Sequence, residues 1–355
     1  MKGVLSGVVL TGFLVILSGC SFPGSLGKSG AAVLRSDDGG VNFVPKVTVN
    51  EKTTIASVEV LSLLFDSSKP NHVLLGTKDD GIFASENGGD AWRKLEYPPT
   101  KVYGLARDVF SSARLYATGE WQGRGKIYRS DDDGVKWKEI YTEPSNGTVI
   151  TALIASTRSA GVVYAGTSAG VVIKTTDSGE TWGNAASLGG PILSLAFNSD
   201  SGMLYALASG KGIFRKMDSG DGFSMLDLST TSSENEKNAR ARILSKPVSI
   251  ATDPSRSGVL YVGTEKDGLW MSADNGEHWS AVDIIASSAK FPIRAIAIRP
   301  GSSNEILYSS ALAVYRSVDS GANWSVYQLD ANRPAGLIRY DPSNSSRVFL
   351  GLRTF

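Results

Sequence analysis

Short apolar runs alternate with turn-forming residues along most of the chain. Val163–Thr167 and Leu260–Thr264 are rich in β-branched and aromatic side chains, and a glycine-containing turn and another apolar run follow each of them. A further apolar run precedes such pairs, as in residues 192–197. Runs of this length between turn signals are typical of β-strands. The pattern therefore predicts an all-β protein built from short strands.

An eight-residue motif of the form S-x-D-x-G-x-x-W recurs seven times and divides the chain into units. Its copies begin at Ser36, Ser85, Ser130, Thr175, Lys216, Ser272 and Ser317. The fifth position is glycine in every copy, and successive glycines are 41 to 56 residues apart. About four predicted strands per repeat of this length is the pattern of a β-propeller blade. The repeat therefore predicts a seven-bladed β-propeller with four-stranded blades.

The third position of the motif carries an acidic or amide side chain. These residues are Asp38, Asn87, Asp132, Asp177, Asp218, Asp274 and Asp319. Such a side chain accepts hydrogen bonds from backbone N–H groups nearby, and the glycine permits a positive φ. The aromatic residue at the end of the motif begins the next strand. Since the repeats place one such side chain in each blade, we interpret all seven as structural rather than catalytic or metal-binding.

The motif resembles the Asp-box, or BNR repeat, of sialidases, sortilin-type receptors, xyloglucanases and photosystem II assembly factors. The resemblance extends from residue 34 to the end of the chain and implies a propeller with one of two kinds of function. Assembly factors and sortilin-type receptors imply a scaffold that binds a protein or peptide. Sialidases and xyloglucanases imply a carbohydrate-active enzyme or a glycan-binding protein.

The enzymatic alternative has less support in the sequence. Sialidases carry an F-R-I-P strand before the first repeat, whereas the most similar string here, residues 291–294, reads F-P-I-R and precedes the last repeat. Xyloglucanase-like enzymes place two carboxylates in a cleft between two propellers, whereas the seven repeats here account for one propeller. A glycosidase needs paired carboxylates at a defined separation, and the sequence identifies no such pair. We therefore favour a binding or assembly scaffold similar to the photosystem II assembly factors, with glycan chemistry as the alternative.

The two ends of the repeat region are complementary. One predicted strand, residues 31–35, precedes the first motif, and another, residues 43–49, follows it. After the seventh motif, residues 337–340 and 348–350 supply two more. We expect these four strands to form blade one together, which closes the ring without leaving an open sheet edge.

The first residues have the features of a targeting segment. Lys2 precedes an apolar run over residues 4–16, which is shorter than a membrane-spanning helix. The string Leu17-Ser18-Gly19-Cys20 resembles the bacterial lipobox, in which the cysteine is diacylated and becomes the mature N-terminus. We expect residues 1–19 to be a signal peptide, residues 20–30 a lipidated tether, and residues 31–355 the propeller. This organisation predicts a lipid-anchored protein of the cell envelope, on the outer membrane where the host has two membranes.

Composition narrows the choice of partners and chemistry. The formal net charge is +1, which gives no indication of a nucleic-acid partner. Cys20 is the single cysteine, so a disulfide within the chain is excluded. His72 and His278 are the two histidines, which leaves few ligands for zinc. We expect no cofactor and no metal, a protein or peptide partner, and a monomer.

Four residues are candidates for partner binding. Arg294 and Arg339 lie in predicted first strands, where most neighbouring positions hold small residues, so they are expected near the central channel. An internal ion pair is the alternative for both. Trp121 and Arg124 lie on a lengthened hairpin of the third blade, and tryptophan and arginine are typical interface anchors. A Trp121 side chain folded back on its blade is the alternative.

Overall fold

A computed structural model describes residues 31–217, 220, 222–229, 243–286 and 290–355. The described chain forms 28 strands in seven antiparallel sheets of four strands each. This confirms the predicted all-β, seven-bladed propeller. A search of the described residues found no helix long and apolar enough to cross a membrane.

Each blade runs from a first strand at the channel to a fourth strand at the outside. The first strands are β27 (Ala335–Asp341), β3 (Val60–Phe65), β7 (Leu105–Arg107), β11 (Ile150–Ala155), β15 (Ile192–Asn198), β19 (Pro247–Thr252) and β23 (Ile293–Arg299), for blades one to seven. The second strands are β28 (Asn344–Leu352), β4 (Val73–Thr77), β8 (Leu115–Trp121), β12 (Val163–Thr167), β16 (Met203–Ala208), β20 (Leu260–Thr264) and β24 (Ser302–Ser310). The third strands are β1 (Val33–Ser36), β5 (Ile82–Ser85), β9 (Arg124–Ser130), β13 (Val171–Thr175), β17 (Gly212–Met217), β21 (Leu269–Ser272) and β25 (Ala313–Ser317). The fourth strands are β2 (Val44–Pro45), β6 (Arg93–Lys94), β10 (Lys138–Thr142), β14 (Gly183–Ser187), β18 (Ser224–Met225), β22 (Ser280–Val282) and β26 (Ser325–Gln328).

The hydrophobic core lies between neighbouring blades. Second strands such as β4, β12 and β20 are buried along their whole length because a blade covers each of their faces. One apolar cluster joins blades seven and one, and others join each further pair around the ring. Five tyrosines on second strands fill these interfaces and are almost fully buried: Tyr116, Tyr164, Tyr205, Tyr261 and Tyr308. The ring is therefore a series of blade-to-blade cores.

The outermost strand of blade one is shorter than the sequence pattern predicts. The predicted strand over residues 43–49 is wrong in its length, since only Val44 and Pro45 pair with β1. Both residues are exposed, and proline has no N–H to donate to a further ladder. Beyond Pro45, Lys46 N donates to Val33 O at 2.9 Å, and Thr48 then forms a bridge with Thr54 instead of pairing with β1. Burial of their side chains fixes the register of the inner strands. The outer edge is exposed, so burial does not fix the length or register of β2.

Blade one closes the ring as predicted. β1 pairs with β28 from Val33 opposite Gly351 to Ser36 opposite Val348, so strands from the two ends of the sequence share one sheet. Arg333, in the link from blade seven to blade one, makes a second set of contacts that close the ring. Its guanidinium donates to the backbone carbonyls of Ala31, Ala56, Ser57 and Val58 at 2.8–3.3 Å. One buried side chain thus holds the segment before β1 and the link from blade one to blade two.

Four arginines at the ends of third strands reach the turn of the next blade. Arg35 donates to the carbonyl oxygen of Gly88, Arg129 to that of Ser178, Arg215 to that of Asn275 and Arg316 to that of Gly39. In every case the acceptor is the fourth residue of the repeated octapeptide. These contacts add polar links to the apolar blade interfaces.

Candidate functional site

The octapeptide turns form one end of the ring. In blade one, Ser36 Oγ accepts from Gly40 N at 2.8 Å and donates to Asp38 Oδ1 at 2.6 Å, and Asp38 Oδ1 accepts from Asn42 N at 2.9 Å. The same hydrogen bonds recur around Asn87, Asp132, Asp177, Asp274 and Asp319. Asp218 lies outside the described residues. These turns are internally hydrogen-bonded, and the structural role of their acidic residues stays a prediction.

Hydrogen bonding also changes the acidity of these carboxyl groups. The side chain and the backbone N–H of Thr181 donate to Asp177, and these bonds lower the pKa of Asp177 to about 2. Asn323 does the same for Asp319, whose pKa is also lowered. A depressed pKa keeps each carboxylate ionised, so it can accept the N–H groups of its own turn.

A charged cluster lies at the same end, between blades two and three. Arg107 Nη1 is 3.2 Å from Asp66 Oδ2 and 2.9 Å from Asp133 Oδ1, and Arg107 Nη2 is 3.4 Å from His72 Nδ1. Ligand atoms of Asp66, His72 and Asp133 lie within 4.8 Å of one another, as a metal site requires. The guanidinium contacts all three and Lys69 also contacts Asp133, so the arrangement is an inter-blade ion-pair network.

The opposite end of the ring, here called the loop end, carries the links between blades and the hairpins between second and third strands. The β8–β9 hairpin is among these, and Trp121 pairs with Arg124 across its tip. The Trp121 side chain is 45% exposed rather than buried against the blade. Arg124 Nε donates to Asn146 Oδ1 of the following link at 2.7 Å.

Backbone contacts on both sides hold this hairpin in place. A Cβ at Gly119 would lie 2.4 Å from Pro99, and one at Gly125 would lie 2.7 Å from Ile150 N. Gly125 N also donates to Thr148 O at 2.8 Å. Because the links on both sides of the hairpin contact it closely, the backbone that carries Trp121 is held in one position.

The first strands surround a central channel with a volume of about 200 Å³. Among the described residues, its lining includes three arginines, Arg294, Arg339 and Arg353, and no acidic residue. The structure thus places the predicted Arg294 and Arg339 in the channel lining. No carboxylate among the described residues lies within ion-pair distance of either, so the predicted alternative of an internal ion pair is not what the geometry shows. Arg353 was not predicted.

A repeated irregularity aims side chains into this channel. Six first strands shift register near their loop end, and each shift leaves one residue outside the ladder. Those residues are Leu61, Thr151, Leu193, Val248, Arg294 and Gly336, and all six line the channel. A bulge of this kind re-aims a side chain, and in blade seven it directs Arg294 toward the axis.

Arg353 occupies the place that a side chain at position 336 would take. A Cβ on Gly336 would lie 2.6 Å from Arg353 Nε, so glycine is required for this packing. The guanidinium carbons of Arg294 and Arg353 lie 3.8 and 4.5 Å from the centroid of the Phe355 ring. Two guanidinium groups of like charge therefore converge on one aromatic ring at the channel entrance.

Arg294 and Arg353 are half-buried in the channel wall, whereas Arg339 is exposed to the channel. Desolvation lowers the pKa of Arg294, against the opposing charge of Glu265. Desolvation and the nearby charge of Arg294 together lower the pKa of Arg353. Guanidinium groups remain protonated in proteins despite such shifts, so the channel keeps three positive charges.

Cys20 and most of the linking segment 229–242 lie outside the described residues. Trp121 and Arg124 on the hairpin and Arg294 at the channel entrance all lie at the loop end, whereas Arg339 lies farther along the channel. Sequence reasoning missed Arg353 and the buried Arg107 network. A glycine where other first strands carry a side chain was the available signal for Arg353.

Comparison with known proteins identifies the fold without deciding the function. No protein-family model matches the chain. A curated relative, the xyloglucanase of Hypocrea jecorina (strain QM6a), is 33% identical over 92 residues, which is 25% of this chain and 11% of the enzyme. The chain therefore spans a small part of that relative.

Two of the similar solved structures have different functions. The GH74 xyloglucanase of Xanthomonas campestris matches with a TM-score of 0.68 and 18% identity, over 83% of this chain and 51% of the enzyme. YCF48 bound to D1 peptide matches with a TM-score of 0.62 and 17% identity, over 84% of this chain and 94% of YCF48. At these identities the likeness shows the propeller fold alone.

Proposed function

We propose that this chain is a membrane-anchored extracytoplasmic scaffold that binds a protein or peptide partner at its loop end. The observation that carries this proposal is the concentration of exposed aromatic side chains there. Trp121, Phe291 and Phe355 are three of the four exposed aromatic residues in the described part of the chain, and Phe110 is the fourth. Protein interfaces are enriched in aromatic residues and arginine.

The arginines of the loop end support the same proposal. Arg124 lies beside Trp121 on the hairpin, and Arg294 and Arg353 stack on Phe355 at the channel entrance. Interfaces concentrate their energy in a few such anchors, which act best when their positions are fixed before binding. The clamped hairpin provides this rigidity for Trp121.

The structural neighbours are consistent with this proposal at the level of the whole chain. The match covers nearly all of YCF48, which is described in complex with a peptide, but only about half of the xyloglucanase. A single propeller that binds a peptide is therefore a neighbour of matching size. We include in the proposal a role in assembly similar to that of the photosystem II assembly factors.

The lipid anchor is the second part of the proposal. The lipobox-like string ending at Cys20 supports it, together with the short apolar run before that string. Two acyl chains are needed for stable anchoring, since each buried CH₂ contributes about 0.8 kcal/mol. An anchored propeller would reach partners close to the membrane surface.

Crosslinking of the full-length protein in its native envelope, followed by mass spectrometry, would identify the partner. We expect Trp121→Ala to reduce partner capture about tenfold or more, as for an interface anchor. Phe110→Ala is the matched control, because Phe110 is 54% exposed at the opposite end of the ring. Equal capture by both variants, or a greater loss with Phe110→Ala, would contradict binding at the loop end.

A carbohydrate-related function is the alternative, and the xyloglucanase similarities favour it. Purified protein should then hydrolyse or bind xyloglucan, other β-glucans or sialosides. Turnover that disappears when one carboxylate is replaced would establish the alternative and overturn the scaffold proposal. The described residues that line the channel include no carboxylate for such a reaction.

A further inference from the structure

Three positive charges share a channel whose lining, in the part of the chain that the structure describes, contains no acidic side chain. Arg339 is the most isolated of them. Its guanidinium donates a hydrogen bond to the neighbouring carbonyl of Ile338, at 3.1 Å, and has no acidic partner among the described residues. The residues at the same register position of the other first strands are all apolar: Leu64, Ala106, Ile154, Ala196, Ala251 and Ala297. Arg339 is exposed to the channel, and a cleft lined by charges of one sign attracts counter-ions, so this position favours an anion.

The entrance holds the second positive position. Arg294 and Arg353 converge on the Phe355 ring although like charges repel each other. The acids that influence them, Glu265 and Glu59, are outside the channel lining, and Glu59 is engaged by Lys78 and Thr354. An anionic group between the two guanidiniums would relieve this repulsion and accept hydrogen bonds from both.

The distance between the two positions follows from strand register. Arg294 occupies the bulge of β23, and Gly336 occupies the equivalent bulge of β27. Arg339 is three residues beyond Gly336, which corresponds to about 10 Å along the channel at the rise of a β-strand. Between the two positions the wall combines apolar side chains, among them Leu63, Leu195 and Ile250, with the serines Ser62, Ser194 and Ser249.

We propose that the channel binds an extended ligand with two carboxylate groups, one held by Arg294 and Arg353 at the entrance and the other by Arg339 inside. The leucine and isoleucine side chains of the wall contact the chain between the carboxylates. The ligand is either a free linear dicarboxylate or an acidic segment of a peptide, and in the second case the inference refines the proposed function. A short dicarboxylate cannot reach both positions, so affinity should depend on the length of the ligand.

Titration calorimetry of the full-length protein with succinate, suberate and sebacate tests this dependence. We expect suberate to bind about tenfold or more tightly than succinate, and more tightly than the monocarboxylate octanoate. Arg339→Met should remove the advantage of suberate over octanoate. Arg93→Met is the matched control, since Arg93 lies on the outer strand β6 and outside the channel lining, and it should leave the length dependence unchanged.

The peptide Ac-Glu-Ala-Ala-Glu-amide and its glutamine counterpart distinguish the two sources of the ligand. Binding of the acidic peptide alone, lost in Arg339→Met, supports the proposal with a peptide as the source. Binding of suberate alone, with the expected length dependence, supports a free dicarboxylate. Binding of neither, or affinity that is unaffected by ligand length or by Arg339→Met, overturns it.

These outcomes are separable from those of the proposed function. If the channel binds no dianion but Trp121→Ala still reduces partner capture, the scaffold proposal stands and this inference fails. If suberate binds but Trp121→Ala has no effect on partner capture, the channel inference stands and the scaffold proposal fails. Arg339→Met should fold normally because it removes a charge that has no partner among the described residues, and an unchanged thermal unfolding midpoint would verify this.

Discussion

Arg333 offers a direct test of how the ring is closed. Its guanidinium donates to four backbone carbonyls, and two of these bonds, to Val58 O at 2.8 Å and Ala31 O at 3.3 Å, are buried. In Arg333→Met the apolar side chain fills much of the same volume but donates no hydrogen bond. The carbonyls of Ala56 and Ser57 are partly accessible and can be hydrated instead.

The expected loss of stability follows from the two buried acceptors. Each buried polar group left without a partner costs about 1–3 kcal/mol, so Arg333→Met should lower the free energy of unfolding by about 2–6 kcal/mol. Urea unfolding followed by tryptophan fluorescence measures this as a shift in the midpoint at unchanged slope.

Arg93→Met is the appropriate control, because the Arg93 side chain is 58% exposed and has one ion pair, at 3.4 Å, with Glu86. Exposed ion pairs contribute about 0–1 kcal/mol, so its midpoint should hardly move. Equal midpoints for Arg333→Met and Arg93→Met would refute the reasoning that the buried carbonyls depend on Arg333.

The remaining predictions concern the octapeptide turns and the anchor. Gly179 has φ of 92° and a Cβ there would lie 2.4 Å from Ile140 Cδ1, whereas a Cβ at Gly183 would meet nothing within 4 Å. Gly179→Ala should therefore cost about 1–3 kcal/mol in unfolding free energy and Gly183→Ala much less, and equal urea midpoints would contradict this. In the folded protein the pKa of Asp177 is lowered from the ordinary 3.8 to about 2. The stability that its carboxylate contributes to the fold is therefore fully present above pH 3.8 and is lost as the pH falls through about 2. The melting temperature of Asp177→Ala should accordingly lie below that of the unaltered protein at neutral pH, and the difference should shrink toward pH 2; a constant difference would argue against the carboxylate. Cys20→Ala should release the protein from membranes or block its maturation, and fractionation that finds the variant processed and firmly membrane-bound would refute the lipid anchor.

The repeated octapeptide made the architecture predictable from sequence. A glycine and a hydrogen-bonding side chain at fixed positions specify a turn wherever they occur, so seven copies identify seven blades. The incomplete sets of strands at the two ends then predict the shared sheet of β1 and β28. These inferences depend on local backbone chemistry, which a single sequence records directly. The length of β2 was mispredicted because the solvent-exposed edge of a blade is not determined by its apolar pattern.

The channel was only partly predictable because its chemistry depends on contacts distant in sequence. Arg294 and Arg339 were noticeable as charged residues among small ones in strands expected at the axis. Arg353 was not, since its place in the lining depends on the missing side chain of Gly336 in the adjacent strand. The bulges that turn Arg294 inward leave no distinct signature in the sequence. Arg333 resembled any polar link residue until its four acceptors were located.

The position of β1 determines how the molecule would respond to mechanical force. β1 lies between β28 and β2, and hydrogen bonds from Leu352 N to Ala32 O and from Lys46 N to Val33 O hold its first residues on both sides. A pull on the chain at Ala31 acts along the strand, so the bonds to both neighbours are loaded together in shear instead of being opened one after another. Arg333 resists the same displacement through its bond to Ala31 O. The junction through which tension from a membrane tether would enter the propeller is therefore one of its mechanically strongest elements.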